Sequence, residues 1–274
     1  MQVATRIALG LLLSALIGAV AYRRGSLSGS GVAGALMVGT IIFGLGGWAW
    51  GVLLVVFFVS SSALSHFKQP LKASLAEKFS KGSRRDLAQT LANGGCGALV
   101  AFSNLIWPHP IWWAAFAGAL ATVTADTWAT EVGVLSRARP RLVTNGKVVE
   151  VGASGGVTLA GTLAALAGAA LIGLAAAGFD LAAHDSLFLS LSLFLVSSLA
   201  GLLGSLFDSL LGATAQAIYF CDLCGKETER HPVHTCGHPT RQVRGWQWLD
   251  NDWVNFISSV IGAAAAAGLG RLAK

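Results

Sequence analysis

Eight long apolar runs constrain this chain more than anything else in it. They lie at roughly 3–21, 28–45, 48–66, 87–106, 110–134, 154–178, 186–218 and 252–270, with boundaries soft by a few residues. Each reaches the ~17–25 residues that a bilayer span requires. Hydrophobic residues make up 54% of the sequence and charged residues 12%, whereas a soluble domain carries about 25% charged residues. In hydrocarbon every backbone polar group must be satisfied internally, so runs of this length are expected as helices. The expected fold is therefore all-α, a polytopic bundle of about eight transmembrane helices forming one membrane domain over residues 1–274. A Cys/His-containing insertion at 220–249 interrupts it. The 186–218 run is too long for one straight span, so it is tilted, kinked at Gly201 or Gly204, or extended beyond the membrane. The first run resembles a signal peptide, but Arg23 and Arg24 directly after it favour a retained helix.

Lys and Arg placement predicts the orientation. The loop at Arg23 and Arg24, the 67–86 loop (Lys68, Lys72, Lys78, Lys81, Arg84, Arg85), the 136–153 loop and the 220–249 loop hold 16 of the 19 basic residues. The intervening loops, such as Trp107-Pro-His-Pro110, contain neither Lys nor Arg. Multi-pass insertion in the cell membrane with cytoplasmic basic loops and both termini outside follows. The net charge of +6 is explained by this bias and by anionic lipid headgroups, with no nucleic-acid partner needed. Trp48, Trp50, Trp107, Trp112 and Trp113 cluster near the expected outer interface and are read as headgroup anchors.

Against this apolar background stand three acidic motifs: Thr124-Ala-Asp-Thr-Trp-Ala-Thr-Glu131, Ser205-Leu-Phe-Asp-Ser-Leu-Leu-Gly212 and Leu249-Asp-Asn-Asp-Trp-Val-Asn-Phe256. An ionised carboxylate at bilayer depth costs roughly 2.5–3.5 kcal/mol even on the lenient scale. Asp126, Glu131, Asp208, Asp250, Asp252 and Asn255 all fall toward the cytoplasmic ends of their segments, and Asn93 joins them two turns into the fourth. Ordinary roles exist for each. Asn93 can serve as interhelical glue, and Asp250 and Asp252 can cap the eighth helix. Asp126, Glu131 and Asp208 could sit in buried ion pairs, yet no Lys or Arg lies inside the segments that carry them. A metal ion, Mg²⁺ held by Asp126, Glu131, Asp208 and Asp252, is the favoured counter-charge.

Thr144-Asn-Gly-Lys147 and Gly152-Ala-Ser-Gly-Gly-Val157 precede the sixth segment. Ser154, Gly155 and Gly156 at a helix start make an anion site, and Lys147 can add charge. The same pattern also suits an ordinary turn, and it is not a Walker loop, because no Gly-Lys-Ser/Thr follows. In the insertion, Cys221-Asp-Leu-Cys224 is followed by His231, His234, Cys236 and His238. Cys221, Cys224, His234 and Cys236 are expected to bind one structural Zn²⁺, with His231 or His238 as substitutes. Cys96 is read as packing.

Taken together, Ala125 to Glu131, Thr144-Asn-Gly-Lys147 with Ser154-Gly-Gly156, Gly204 to Gly212 and Leu249 to Asn255 resemble the integral-membrane family of transmembrane protein 19 and the plant phytyl-phosphate kinase. Arg84-Arg85-Asp86 and Ala92-Asn-Gly-Gly95 also fit its pattern. The resemblance covers about 84–262. It implies Mg²⁺-dependent transfer of the γ-phosphate of a nucleoside triphosphate, CTP or ATP, to an isoprenyl monophosphate. Asp126, Glu131, Asp208, Asp250, Asp252 and Asn255 would be the catalytic set, and Asn93, Arg84, Arg85, Lys147 and Ser154 to Gly156 the phosphate contacts. The competing readings are an ion or solute transporter and a lipid nucleotidyltransferase. The outer halves of the fifth and sixth segments, Ile111 to Ala121 and Gly161 to Gly178, carry no charge, which disfavours a polar path across the whole bilayer.

The orientation is directly measurable. Single cysteines placed at Arg139 and at Ala183, in a chain whose native cysteines are replaced, should label from opposite faces of sealed vesicles. Arg139 should react with a membrane-impermeant maleimide from the cytoplasmic face only. The reverse pattern would invert the topology.

Overall fold

The computed structural model describes residues 2–72 and 84–272, so Lys78, Lys81 and Lys274 lie outside the described residues. Among the described residues eight long helices are present: α1 (Val3–Arg23), α2 (Gly29–Ile41), α3 (Trp48–His66), α5 (Leu87–Ile106), α6 (Ile111–Gly133), α7 (Leu159–His184), α8 (Leu187–Thr214) and α9 (Asn251–Leu272). A π-turn, Ile42–Gly46, prolongs α2, and a single turn, α4 (Gln69–Lys72), follows α3. Among the described residues six helices are long and apolar enough to cross a membrane: α1, α2 with its π-turn, α3, α7, α8 and α9.

The other two are α5 and α6, and for α6 the shortfall has a physical reason. Helix α6 packs against α7, α8, α9, α3 and α5, and Ala114 to Ala125 are buried without interruption. A helix ringed by other helices meets no lipid and needs no apolar surface for it. Its residues are small because close approach, not hydrophobicity, drives association inside a membrane. A Cβ on Gly118 would meet the Gly262 carbonyl oxygen at 2.5 Å and collide with Ala266. One on Gly201 would meet the Ala121 and Ala169 methyls at 2.7 and 2.8 Å.

Helix α8 inverts the soluble pattern. Leu187, Leu191, Leu195, Leu199 and Leu203 are exposed at four-residue spacing, while Ser197, Ser198, Gly201, Gly204 and Ser205 are buried. The helix is unbroken from Leu187 to Thr214, so Gly201 and Gly204 serve packing and do not interrupt it. Its 28 residues measure about 42 Å at 1.5 Å per residue, well over the ~30 Å hydrocarbon core. Tilt or extension beyond the membrane therefore accounts for the length.

Two expectations need correction. Trp50 is only 7% exposed and stacks on Phe116 at 4.4 Å between centroids, with Trp113 beside both. These rings close the core at one end of the bundle and do not anchor it in headgroups; Trp48 and Trp107 remain exposed. The sixth apolar run also starts later than residue 154. Gly156–Val157 (β2) pairs antiparallel with Arg141–Leu142 (β1), and Thr158 caps α7 by accepting from the Gly161 amide. The Cys/His segment adds a three-stranded sheet in the order β4-β3-β5, from Ile218–Cys221 (β3), Lys226–Thr228 (β4) and Arg241–Arg244 (β5).

The close packing of α6 on α9 gives a test. Gly118→Val should destabilise the bundle by about 1–3 kcal/mol, the usual cost of overpacking, read as a lowered thermal midpoint in detergent. Unchanged stability would show that the two helices do not approach this closely.

Candidate functional site

The C-terminal ends of α3, α6 and α8 and the first turns of α5, α7 and α9 meet around one polar cavity of about 280 Å³. Asp126 and Glu131 reach it from α6, Asp208 from α8, Asn93 from α5 and Asn255 from α9. Arg85 precedes α5, and Ser154, Gly155 and Gly156 come from the loop before α7. Nine of the residues singled out above thus line one space, though they are scattered over residues 85–255.

Asp126 and Asp208 are the core of the cavity. They lie close enough to each other and to Glu229 to interact electrostatically. The Oδ2 atom of Asp208 is buried and has no hydrogen-bond partner among the described residues. Buried like charges beside an orphaned carboxylate oxygen are a donor set that suits a hard divalent cation, which takes a few carboxylates and completes its shell with other oxygens.

Glu131 differs. Lys72 Nζ lies 2.6 Å from its Oε2 and also donates to the Leu64 carbonyl at 2.7 Å. The counter-charge comes from the short α4 turn, outside the apolar segments. The ion pair, with Arg85 as a further positive neighbour, accounts for Glu131 without a metal.

Arg85 is held by its backbone. Its N–H donates to Ser26 O and its carbonyl accepts from Ser28 N–H. The next residue, Asp86, caps α5 in a reciprocal box with Gln89. The guanidinium donates from Nη1 to Ser62 Oγ at 2.9 Å. Arg84 is directed elsewhere: it is exposed, over the Tyr22 ring at 5.4 Å, and does not line the cavity.

The glycine loop reaches the cavity because it is pressed onto the end of α8. Gly155 has φ +80° and would strike Ala213 if it carried a side chain. Ser154 Oγ donates to Gln216 Oε1 at 2.7 Å, and Gln216 Nε2 donates to Glu229 Oε1 at 2.9 Å. This chain of contacts brings Glu229 from the Cys/His segment into the cavity wall. Lys147 does not take part. It is exposed in the turn after Leu142, its amide donating to Asn145 Oδ1.

Asp250 and Asp252 are also placed apart. Asp250 is exposed and accepts from the Trp253 amide at 3.0 Å, so it is the N-cap of α9. Both acids border an apolar groove between α2, α5 and α9, while Asn251 and Asn255 of the same motif line the polar cavity. The two sets lie on different faces at the start of α9, so residues adjacent in sequence line different spaces. Sequence reasoning missed Glu229, Gln216, Gln89 and Ser209. Ser209 stands beside Asp208 in its motif, but nothing local marks Glu229 or Gln216, whose roles depend on contacts across the fold.

The second cluster joins Cys221, Cys224, His234 and Cys236, whose ligand atoms all lie within 4.8 Å of one another. Cys221 and Cys236 sulfurs are 3.6 Å apart, and His234 Nδ1 lies 3.3 Å from Cys236 and 3.5 Å from Cys224. A tetrahedron with ~2.3 Å metal–sulfur bonds has edges of about 3.8 Å, so the group can hold a metal as it stands. The His234 imidazole lowers the Cys236 thiol to about 6, whereas the hydrogen bond with Cys236 pushes Cys224 up to about 11. His231 is excluded from the cluster because its ring stacks on Tyr219 at 4.5 Å. His238 contributes its carbonyl to the His234 amide, bracing the turn.

Comparison with known proteins gives a consistent set of relatives. Residues 12–263 match the family described as integral membrane protein DUF92. Protein PGR of Arabidopsis thaliana is 36% identical, with 93% of each chain covered. An uncharacterized membrane protein, MJ0933, of Methanocaldococcus jannaschii is 32% identical over 78% of this chain and 84% of its own. Protein VTE6, chloroplastic, of Arabidopsis thaliana is 26% identical over 88% of this chain and 64% of its own. No solved structure matches.

The Cys/His cluster carries its own test. Protein purified under reducing conditions should contain about one metal ion per chain by elemental analysis, and the Cys221→Ser, Cys224→Ser double variant should contain none. Loss of the ion should also loosen residues 218–244, because a four-ligand site contributes directly to folding. Metal-free wild type would refute the site.

Proposed function

This chain belongs to the DUF92 family of integral membrane proteins, and from that premise we propose that it is a membrane-embedded, Mg²⁺-dependent kinase of isoprenyl monophosphates. It transfers the γ-phosphate of a nucleoside triphosphate, CTP or ATP, to a phytyl-type monophosphate and releases the lipid diphosphate. The activity is the one implied by the motif resemblance to the family of transmembrane protein 19 and the plant phytyl-phosphate kinase. The observation that carries it to this chain is the cavity itself. Asp126 and Asp208 stand there within electrostatic reach of one another, Asp208 with an orphaned oxygen. Arg85, Asn93 and the Ser154–Gly156 loop share the same walls.

Phosphoryl transfer depends on positioning and charge neutralisation more than on covalent machinery. Asp126 and Asp208 would hold Mg²⁺, with Asn255 lining the same cavity. When bound, the ion supplies neutralisation of phosphate charge. The Ser154–Gly156 loop lines the cavity and is assigned the nucleotide phosphates. Arg85 adds a fixed guanidinium suited to planar contact with phosphate oxygens. The acceptor is a phosphate monoester with a second pKa of about 6, so it is largely dianionic at pH 7 and needs no dedicated base. One of its oxygens forms a bond to the γ-phosphorus. The bond from that phosphorus to the β–γ bridging oxygen breaks, and the nucleoside diphosphate leaves with the electron pair. Glu131, neutralised by Lys72, belongs to the wall and not to the ion site. The cysteine cluster is assigned a structural Zn²⁺, since four protein ligands leave no open position. The positive-inside bias of the basic loops supports a cytoplasmic location for the reaction.

Purified protein in detergent, given Mg²⁺, a nucleotide panel and phytyl monophosphate, should yield phytyl diphosphate by mass and consume one nucleotide per product. A nucleotidyl-lipid product or nucleotide-independent ion flux in proteoliposomes would overturn the kinase reading. Asp126→Asn and Asp208→Asn should each lower turnover by about 100-fold or more while eluting as monodisperse protein. Wild-type rates in both would remove them from the mechanism.

A further inference from the structure

We propose that the apolar pocket enclosed by α1, α2, α3 and α5 is the seat of the acceptor's single hydrocarbon tail, with Arg85 and Asn93 presenting its phosphate to the polar cavity. The identity of the headgroup rests on the function proposed above. The location of the tail rests on the shape of the molecule.

The pocket, about 300 Å³, is bounded by side chains such as Leu13, Ala35, Phe43, Val52, Val55 and Phe58. Its polar lining is sparse, and two of its residues, Arg85 and Asn93, also line the polar cavity. The two spaces therefore meet at these side chains, apolar on one side and carboxylate-rich on the other. An amphiphile fits such a junction only with its head toward the cavity and its tail in the pocket. Along α3 the lining runs from Trp48 to Phe58, about 15 Å at 1.5 Å per residue. That depth is about half of the ~30 Å hydrocarbon core, so a tail seated there lies at a natural depth for lipid.

Arg85 is built for the junction. Its guanidinium stands over the rings of Phe57 and Phe58 at 5.9 and 5.8 Å, and it donates to Ser62. Those contacts, with Glu131 as a nearby counter-charge, fix a cation at the mouth of an apolar space. The sign of that charge selects an anionic head.

The other large apolar space, the groove of about 830 Å³ between α2, α5 and α9, fails on the same criterion. Its charged residues are Asp250 and Asp252, which repel a phosphate, and it shares no lining residue with the polar cavity.

Binding of phytyl monophosphate and of the shorter geranyl monophosphate should be measured on the full chain in detergent, with Mg²⁺ and without nucleotide. Val52→Phe and Ala35→Leu narrow the pocket in two independent ways. Each should weaken phytyl monophosphate at least tenfold and geranyl monophosphate less than threefold; retained geranyl binding reports a folded site. Arg85→Gln should weaken both ligands by the same factor. Leu99→Trp, in the α2/α5/α9 groove, should change neither. Unchanged phytyl affinity in both pocket variants, or loss of it in Leu99→Trp, would overturn the proposal. So would equal binding of a two-tailed phosphatidic acid, because the pocket is proposed for one tail. The kinase reading is judged separately, by adding nucleotide to wild type. Tail-length-dependent binding without product would sink that reading and support the pocket; product formation without a tail-length effect would do the reverse.

Discussion

A carboxylate inside a helix bundle must find a partner, and the arrangement of this fold follows from where each partner comes from. Removing a charge from water costs several kcal/mol that only pairing or coordination offsets. Glu131 is paired within the chain by Lys72. Asp126 and Asp208 line one polar cavity within electrostatic reach of each other. Two acids so placed are a donor set that suits a cation, the counter-charge proposed for the site.

The small residues of the central helices make that organisation possible. Gly118 against Gly262 and Ala266, and Gly201 against Ala121 and Ala169, let α6, α8 and α9 approach closely. Close approach brings Asp126 and Asp208, on separate helices, into mutual reach. Larger side chains at these positions would separate the helices and the acids together. Packing and function thus share residues here, which is why glycines recur beside the acidic motifs: Gly204 and Gly212 flank Asp208 in sequence.

Much of this was legible in the sequence. The eight apolar runs became eight long helices, and the ligand set Cys221, Cys224, His234 and Cys236 is the group that the fold gathers. Convergence of Asp126, Asp208, Asn93 and Asn255 could be read because each lay at the same depth in its own run. What failed had a different origin. Asp250 and Asp252 share a motif and a depth with Asn255 but differ in helical face, and depth carries no information about face at a helix start. Lys147 was near the glycine loop in sequence, yet the β1 turn carries it outward. Glu229 and Gln216 were invisible because their place depends on a tertiary contact, the bridge from Ser154 through Gln216 to Glu229.

That bridge also changes how the cysteine segment should be understood. A structural metal is usually assigned to a module that can be removed without touching chemistry. Here the sheet that carries Cys221 also carries Thr228, whose neighbour Glu229 lines the cavity, and Arg244 of β5 donates to the carbonyls of Gly212 and Ala213 at the end of α8. Those are the carbonyls that α8 leaves unsatisfied where it ends, and the same turn supports Gly155. The module therefore braces the glycine loop and α8 from outside the membrane segments. A metal held by the cluster would act on the cavity only through these contacts, by fixing the positions of Glu229 and of the glycine loop, which no transmembrane helix holds alone.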